Sequence, residues 1–408
     1  MTNEGSIAPE ALEGLRVLDM GMNVAGPFCA TLLAEFGAEV IKVERPGSGD
    51  PLRTLGGEQM AQNGVGLFWA QESRNKKCIT ANLRHPRVKE LVLQLASQCD
   101  IVVESFQPGT AERLGFGYED LKAVRPDIIM VRVSGYGQTG PYSPKPGYAR
   151  VAQAFGGLTW LAGTPEMPAL TPGSTTMTDY ITGMFSTIGV LIALEYRRKT
   201  GEGQVVDAAL YESIFRIMDT LAIQYSVKGL IRGPVGRGTP MAAPHSQYPC
   251  KDGKWISIAC NMDHQWATLG KAMGRPELAD DPRFSTVTAR IEHMEEVDNA
   301  VTEFTMAHSM KEAWNILDDA EIPAAPVYPI DGIFEDPQYW ARETLVNVMD
   351  PVLGKVGLPG VVPHLTRTPG RIKHLGPKEL GTANREVYCE MLGITEAELA
   401  SLTSEGAL

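Results

Sequence analysis

Four short runs rich in β-branched residues dominate the first third of this chain: RVLDM (16–20), EVIKVE (39–44), DIVVES (100–105) and DIIMVRVS (127–134). Helical stretches separate them, PFCATLLAEFG (27–37) and PRVKELVLQLASQC (86–99), the second opening on Pro86, whose fixed φ suits a first helical position. Strands alternating with helices predict an α/β fold built on a parallel, Rossmann-like sheet. The first strand-to-helix turn, GMNVAG (21–26), is not a GxGxxG fingerprint, and no GxxxxGK[ST] occurs. Dinucleotide and P-loop nucleotide binding are therefore poorly supported.

A chain of 408 residues is too long for one simple core. Beyond about residue 225 its character changes. GLIRGPVGRGTPMAAPHSQYPC is rich in Gly and Pro, KWISIAC reads as a strand, and MDHQWATLGKAM and VDNAVTEFTMAHSMKEAWNILDDA read as helical. The expected organisation is a large domain over 1–224, a smaller inserted α+β domain over 225–330, and a tail over 331–408 that rejoins the first. The net charge of −12 argues against nucleic acid as a partner, and a polyanionic ligand would need a local basic patch. Six scattered cysteines without a CxxC pair fit reduced thiols, and seven histidines without HExxH-type spacing predict no metal site. There is no run of about 18 apolar residues, and MTNEGSIAPEALEG has neither a basic n-region nor an apolar h-region, so no membrane association and a cytoplasmic location are expected.

The segment TPGSTTMTDYITGMFSTIGVLIALEYRRKTGEGQVVDAALYES (171–213) carries the strongest chemical signal. It places Asp179 at the start of a helix, with Gly183 one turn on and Arg197, Arg198 and Lys199 in the last turn. Ile181, Met184, Phe185, Ile188, Leu191, Ile192 and Leu194 are spaced to bury most of the helix's faces, TGEG closes it, and QVVDAAL reads as a strand. A carboxylate in a first helical turn is expected to be held ionised by the dipole and free backbone N–H groups, which suits an anionic nucleophile. An aspartate there is more often only a cap, so this local pattern does not by itself assign a role.

The wider sequence resembles the family III CoA-transferases, the formyl-CoA and carnitine CoA-transferase type, over nearly all its length. The resemblance rests on blocks in the family's order: LEGLRVLDMGMNVAGPFCATLLAEFGAEVIKVERPGSGDPLR, NKKCITANLRHP, DIVVESFQPGTAERLGFGYEDLKAVRPDIIMVRVSGYGQTGPY, GYARVAQAFGGLTWLAG, the Asp179 segment and AAPHSQYPCKDGKWISIA. It implies two intertwined, ring-like subunits, hence an interlocked dimer, either of this chain with itself or with a paralogue. It implies no permanently bound cofactor; a coenzyme A thioester and a carboxylic acid are the substrates.

The resemblance also assigns residues. Asp179 matches the covalent nucleophile. Arg45 of ERPG matches a contact to the nucleotide end of CoA, and Phe106 and Arg113 match the Phe and Arg of FxPGxxxRxGF. Lys76 and Lys77 of NKK are further candidates for CoA phosphates, and Tyr148 matches an active-site tyrosine near the thioester. Val24, flanked by Asn23, stands where oxalate-specific relatives carry glutamine, and GPVGRGTP replaces the glycine run of the formyl-CoA enzyme. Both departures argue against oxalate or formyl-CoA as substrates. His245 in AAPHSQYP and Arg237 beside the glycine-rich turn are acceptor-acid candidates, although a satisfied loop histidine is the favoured reading of the first and loop solubility accounts for the second.

Overall similarity to succinyl-CoA-dependent relatives points to CoA transfer from succinyl-CoA to a dicarboxylic acid such as malate, citramalate or benzylsuccinate. An α-methylacyl-CoA racemase is the close alternative. That chemistry needs two acid/base groups, and PGYARVAQ has Tyr148 and Ala149 in place of the racemase histidine pair. A non-catalytic CoA-binding subunit is a second alternative, disfavoured because Asp179 is present.

Overall fold

The computed structural model describes residues 10–408; most of the N-terminal segment read for targeting lies outside the described residues. The chain divides into two compact units. The first comprises the chain up to 158, then 173–223 and 338–408; the second comprises 159–172 and 224–337.

The first unit is organised by a six-stranded sheet. Its order is Lys76–Thr80, Glu39–Glu44, Arg16–Asp19, Ile101–Glu104, Ile129–Ser134, Val205–Ala209, every pairing parallel. By strand rank this is 3-2-1-4-5-6, the doubly wound order. Both faces of the central strands are buried, which is why those runs are apolar almost throughout. One face packs on the helix Pro86–Ala96 through Val88, Leu91, Val92 and Leu95. The other packs on the helix Ala25–Glu35 through Cys29, Ala30 and Leu33, joined by Val190 and Ala193 of the helix Met177–Thr200.

NKKCIT supplies an edge strand that its two lysines conceal in the sequence. Beyond it the tail returns to the same unit: Ala383 N–H donates to Cys78 O at 2.9 Å and the Tyr388 hydroxyl to Thr80 O at 2.8 Å. The tail also forms an antiparallel hairpin, Leu345–Asp350 with Gly354–Pro359.

The helix Met177–Thr200 departs from expectation. Its buried face is the small one: Thr178, Thr182, Gly183, Ser186, Val190 and Ala193. Met184, Phe185, Ile188, Leu191 and Ile192 are exposed, so the helix does not bury most of its faces within one chain. The reason is the closeness of its neighbours. A Cβ at Gly183 would lie 2.8 Å from Phe28 Cδ1 and 2.9 Å from the Ala25 carbonyl oxygen, and one at Gly189 would lie 2.6 Å from Val206 Cγ1. Small residues therefore face inward and the large ones are left outside. Gly201 ends the helix in the left-handed region (φ 77°), donating to Arg197 O at 2.8 Å. By length and composition alone this helix could also cross a membrane.

The second unit has a three-stranded antiparallel sheet, Ala324–Pro326, Trp255–Ala259, His245–Pro249, covered by helices. Tyr248, Ile256, Ile258, Trp266, Leu269, Val297, Val301 and Leu317 form its core. The stretch 297–320 is not one helix but parts of two, Met294–Ala307 and Met310–Asp319. Ser309 divides them as a capping box: its N–H donates to Glu312 Oε2 at 2.8 Å and its hydroxyl accepts from Glu312 N–H.

Replacing Gly183 by Ala should cost about 1–3 kcal/mol, because one of the atoms its methyl meets is main chain and cannot rotate away. Urea unfolding measures this; an unchanged midpoint would mean that the two helices can separate freely.

Candidate active site

Ligands of doubly wound sheets bind beyond the carboxyl ends of the strands, where the strand order reverses. Here the reversal lies between Arg16–Asp19 and Ile101–Glu104. The loops leaving these strands are stitched together, Met22 N–H donating to Ser105 Oγ at 2.8 Å. Two hollows open at this point. One, of about 820 Å³, is walled by Arg45, Asn82, Arg84, Phe106 and Thr110 among others. The second, of about 350 Å³, is walled by Asn23, Val24, Phe106, Lys145, Tyr148 and Asp179 among others. They share Met22, Phe106 and Thr110, so they run together as one groove.

Asp179 is the third residue of its helix, and its N–H donates to Thr176 O at 2.9 Å. No described hydrogen bond or ion pair reaches its carboxylate. Burial pushes its pKa up from 3.8 to about 7. Lost hydration thus works against the helix start, which favours the ionised form. The neighbouring Tyr180 is fixed by its hydroxyl bond to Glu72 Oε1 at 2.9 Å and by edge-on contact with Phe28.

The positively charged end of the groove is built from loops. Arg45 is exposed in the turn after Glu39–Glu44, and Arg84 lies in the turn after Lys76–Thr80; neither has an ion-pair partner among the described residues. Phe106 is held in the wall by its N–H bond to Glu104 Oε2 at 2.6 Å. Tyr148, 72% exposed, does not pack on Phe155, which instead meets Tyr136, Tyr142 and Tyr211. Asn23 adopts a left-handed conformation (φ 62°), and Val24 is 3% exposed, packed with Leu52, Trp69 and Cys78 as well as facing the hollow.

Three candidates are placed otherwise. Lys76 is buried, donating to Asp19 Oδ2 at 2.9 Å and to Pro27 O at 2.7 Å, and does not reach the groove. Lys77 pairs with Glu39 and Glu386, both at 2.6 Å, away from the groove walls. Both are corrected: as residues of a strand, their side chains are committed to the sheet's own surroundings rather than to a loop. Arg113 is exposed on the short helix Thr110–Leu114 and donates to Thr110 Oγ1 at 2.7 Å, but it is not among the wall residues. In the second unit, His245 Nδ1 pairs with Asn261 Oδ1 at 2.8 Å, and Arg237 donates to Gln247 O at 3.1 Å beneath the ring of Trp255.

Arg84 and Lys145 were missed by sequence reasoning. Among the described residues Lys145 is the one cation walling the Asp179 hollow, stacked 3.7 Å from the Tyr142 ring centroid. The signal for Arg84 was its place just beyond NKKCIT, legible only once that run is recognised as a strand.

Against known proteins, the chain matches the model of CoA-transferase family III over residues 12–382. It is 43% identical to a succinyl-CoA–L-malate CoA-transferase beta subunit of Chloroflexus aurantiacus, covering 98% of this chain and 99% of that one. To the succinyl-CoA–D-citramalate CoA-transferase of the same organism it is 42% identical, over 97% and 98% of the two chains. Among solved structures, a CAIB/BAIF family protein from Brucella suis superposes with a TM-score of 0.83 at 31% identity, over 94% of this chain and all of that one. The chain belongs to the family III CoA-transferases and is an enzyme that transfers CoA.

The raised Asp179 pKa links ionisation to stability. A carboxyl whose folded pKa lies above its unfolded value contributes fully below the unfolded value, and that contribution is lost as pH rises through about 7. Asp179→Asn should therefore match the parent below pH 4 and exceed it above pH 7, by about 4 kcal/mol at most. Melting temperatures across that range test this; a pH-independent difference would contradict the buried, unpaired carboxyl.

Proposed function

We propose that the enzyme moves CoA from succinyl-CoA to a dicarboxylic acid such as malate, citramalate or benzylsuccinate, with Asp179 as covalent nucleophile. The observation that carries this reading is a partnerless carboxyl, desolvated to a pKa of about 7, in the wall of a groove whose other end presents Arg45 and Arg84. A desolvated carboxylate is a stronger nucleophile than a hydrated one, and the arginines suit the phosphates of CoA. The names of the Chloroflexus aurantiacus relatives support the donor and the class of acceptor.

The cycle balances with no added reagent. The Asp179 carboxylate attacks the thioester carbonyl and expels CoA thiolate, leaving a mixed anhydride. The thiolate attacks the aspartyl carbonyl, releasing the donor acid and leaving an aspartyl–CoA thioester. An acceptor carboxylate repeats these steps in reverse. Phe106, shared by both hollows, lies on the path the pantetheine arm would take between them. Lys145 and Tyr148 flank the reacting end, and apolar Val24 leaves no polar group for oxalate at its position. Among the described residues no histidine walls either hollow, which disfavours α-proton exchange. The working particle is proposed to be an interlocked dimer, of this chain alone or with a paralogue; the exposed apolar face of Met177–Thr200 supports a second subunit.

Incubation with succinyl-CoA and a panel of acids in D2O, read by mass spectrometry, tests the reaction. New thioesters without α-deuterium are expected; deuterium uptake without a new thioester would establish racemase chemistry instead. Asp179→Ala should abolish transfer yet still bind CoA. Formation of the enzyme-bound thioester should rise about tenfold per pH unit up to about pH 7 and then level off, and a flat profile would refute ionisation of this carboxyl as the requirement. Arg45→Ala should weaken CoA binding by about tenfold or more with kcat largely kept; unaltered calorimetric affinity would remove it from the CoA site.

A further inference from the structure

Lys42 and Lys76 lie wholly inside the first unit, neither more than 1% exposed. Lys76 Nζ bridges Asp19 Oδ2 and Pro27 O, at 2.9 and 2.7 Å. Lys42 Nζ donates to Gly21 O and lies 3.0 Å from Asp50 Oδ2 and 3.9 Å from Asp19 Oδ1. Asp19 Oδ1 accepts the Gly21 N–H at 3.0 Å. The lysines thus grip carbonyls on either side of the Asn23–Val24 turn, Gly21 O before it and Pro27 O in the first turn of the helix Ala25–Glu35.

That turn carries Asn23, in its left-handed conformation, and Val24, both in the wall that holds Asp179. It has no slack: a Cβ at Gly21 would lie 2.9 Å from Pro27 Cδ and 3.1 Å from Asp19 Oδ1. Asp50 closes the loop that begins with Arg45, so the same charges reach the second loop of the groove.

A cluster kept only for stability would be served as well by apolar side chains, because burying charges is costly. These charges are aimed at main-chain oxygens of one turn, an arrangement that fixes position. We propose that Lys76, acting with Asp19, is a positioning residue for CoA transfer: it locks the Asn23–Val24 turn opposite Asp179 without touching substrate. The proposal rests on the reading of this groove as the reaction site. Misplacing a reacting group by about 1 Å can cost on the order of 100-fold in rate.

The test compares Lys76→Met with the double variant Asp19→Asn/Lys76→Met. The single variant leaves Asp19 short of a partner and should unfold at lower urea concentration. The double variant removes both charges and should recover most of that stability, while Pro27 O keeps only Thr31 Oγ1, at 2.9 Å, as side-chain donor and its tie to the sheet through Lys76 is lost. Its kcat should stay about 10- to 100-fold below the parent, with KM for succinyl-CoA and calorimetric affinity for free CoA within about threefold. Parental kcat in the double variant, or a rate loss that only tracks lost folded protein, would overturn the proposal. Lys76→Arg keeps the charge but cannot seat one nitrogen between both acceptors, so kcat should fall with the fold intact; parental kcat there overturns it equally. Asp179→Ala is measured alongside. Transfer surviving in that variant sinks the site assignment, whereas transfer lost there but undiminished in the double variant sinks only the positioning role.

Discussion

Three strands entering the groove end on a carboxylate turned back onto the loop that follows, and the geometry of the site depends on this arrangement. Asp19 accepts the Gly21 N–H at 3.0 Å, Glu44 the Asp50 N–H at 2.9 Å, and Glu104 the Phe106 N–H at 2.6 Å. All three carboxylates are buried, and each is balanced by a cation: Asp19 by Lys76, Glu44 by Arg53 in a two-pronged pair at 2.6 and 2.7 Å, Glu104 by Arg132 at 2.7 Å. A carboxylate so buried without its cation would take up a proton and lose its strength as an acceptor. Breaking such a pair by removing one partner costs about 3–5 kcal/mol. The loops bearing Asn23, Arg45 and Phe106 are consequently part of the sheet's rigid frame rather than mobile connections.

Asp179 is the counterpoint. It is a half-buried carboxyl in the first turn of a helix, yet no hydrogen bond or ion pair among the described residues reaches it, and burial pushes its pKa up to about 7. One fold thereby holds two kinds of carboxylate, those paired with cations in its architecture and one that no described cation meets. Separation of pKa values by environment is the usual means of assigning acid and base roles within a single site. In the proposed role of nucleophile, a carboxyl without an ion-pair partner among the described residues has no such pair to break before attack.

The parallel sheet was legible because strands buried on both faces must be apolar along their whole length, so RVLDM or DIIMVRVS stands out against any helix. NKKCIT did not, since Lys76 and Lys77 read as solvent-facing charge when one is buried against Asp19 and the other held by Glu39 and Glu386. The same misreading hid Arg84 and made Lys76 a phosphate ligand. Asp179 stands out through the family's pattern rather than its local spacing, and the upward push on its pKa was not legible because a helix start is visible in a sequence whereas the depth of burial is not. Lys145 could be located only once the loop before Tyr148 had folded back to the Asp179 hollow.

The inverted packing of Met177–Thr200 connects the site to assembly. Close approach to Ala25–Glu35 requires Gly183 and Ser186 inside, which forces Met184, Phe185, Ile188 and Ile192 outside on the helix whose first turn bears Asp179. An apolar face of this kind is unfavourable in water, at about 25 cal/mol for each Å² left exposed. In the proposed dimer that face is covered, and burial of the helix's outer side steadies the first turn from which Asp179 projects. Small residues that admit the helix to its own subunit are thus the same feature that leaves its large apolar side chains outside, so that a substitution such as Gly183→Ala acts on subunit folding, on the placement of Asp179 and on the surface offered to the proposed partner through one displacement of a single helix.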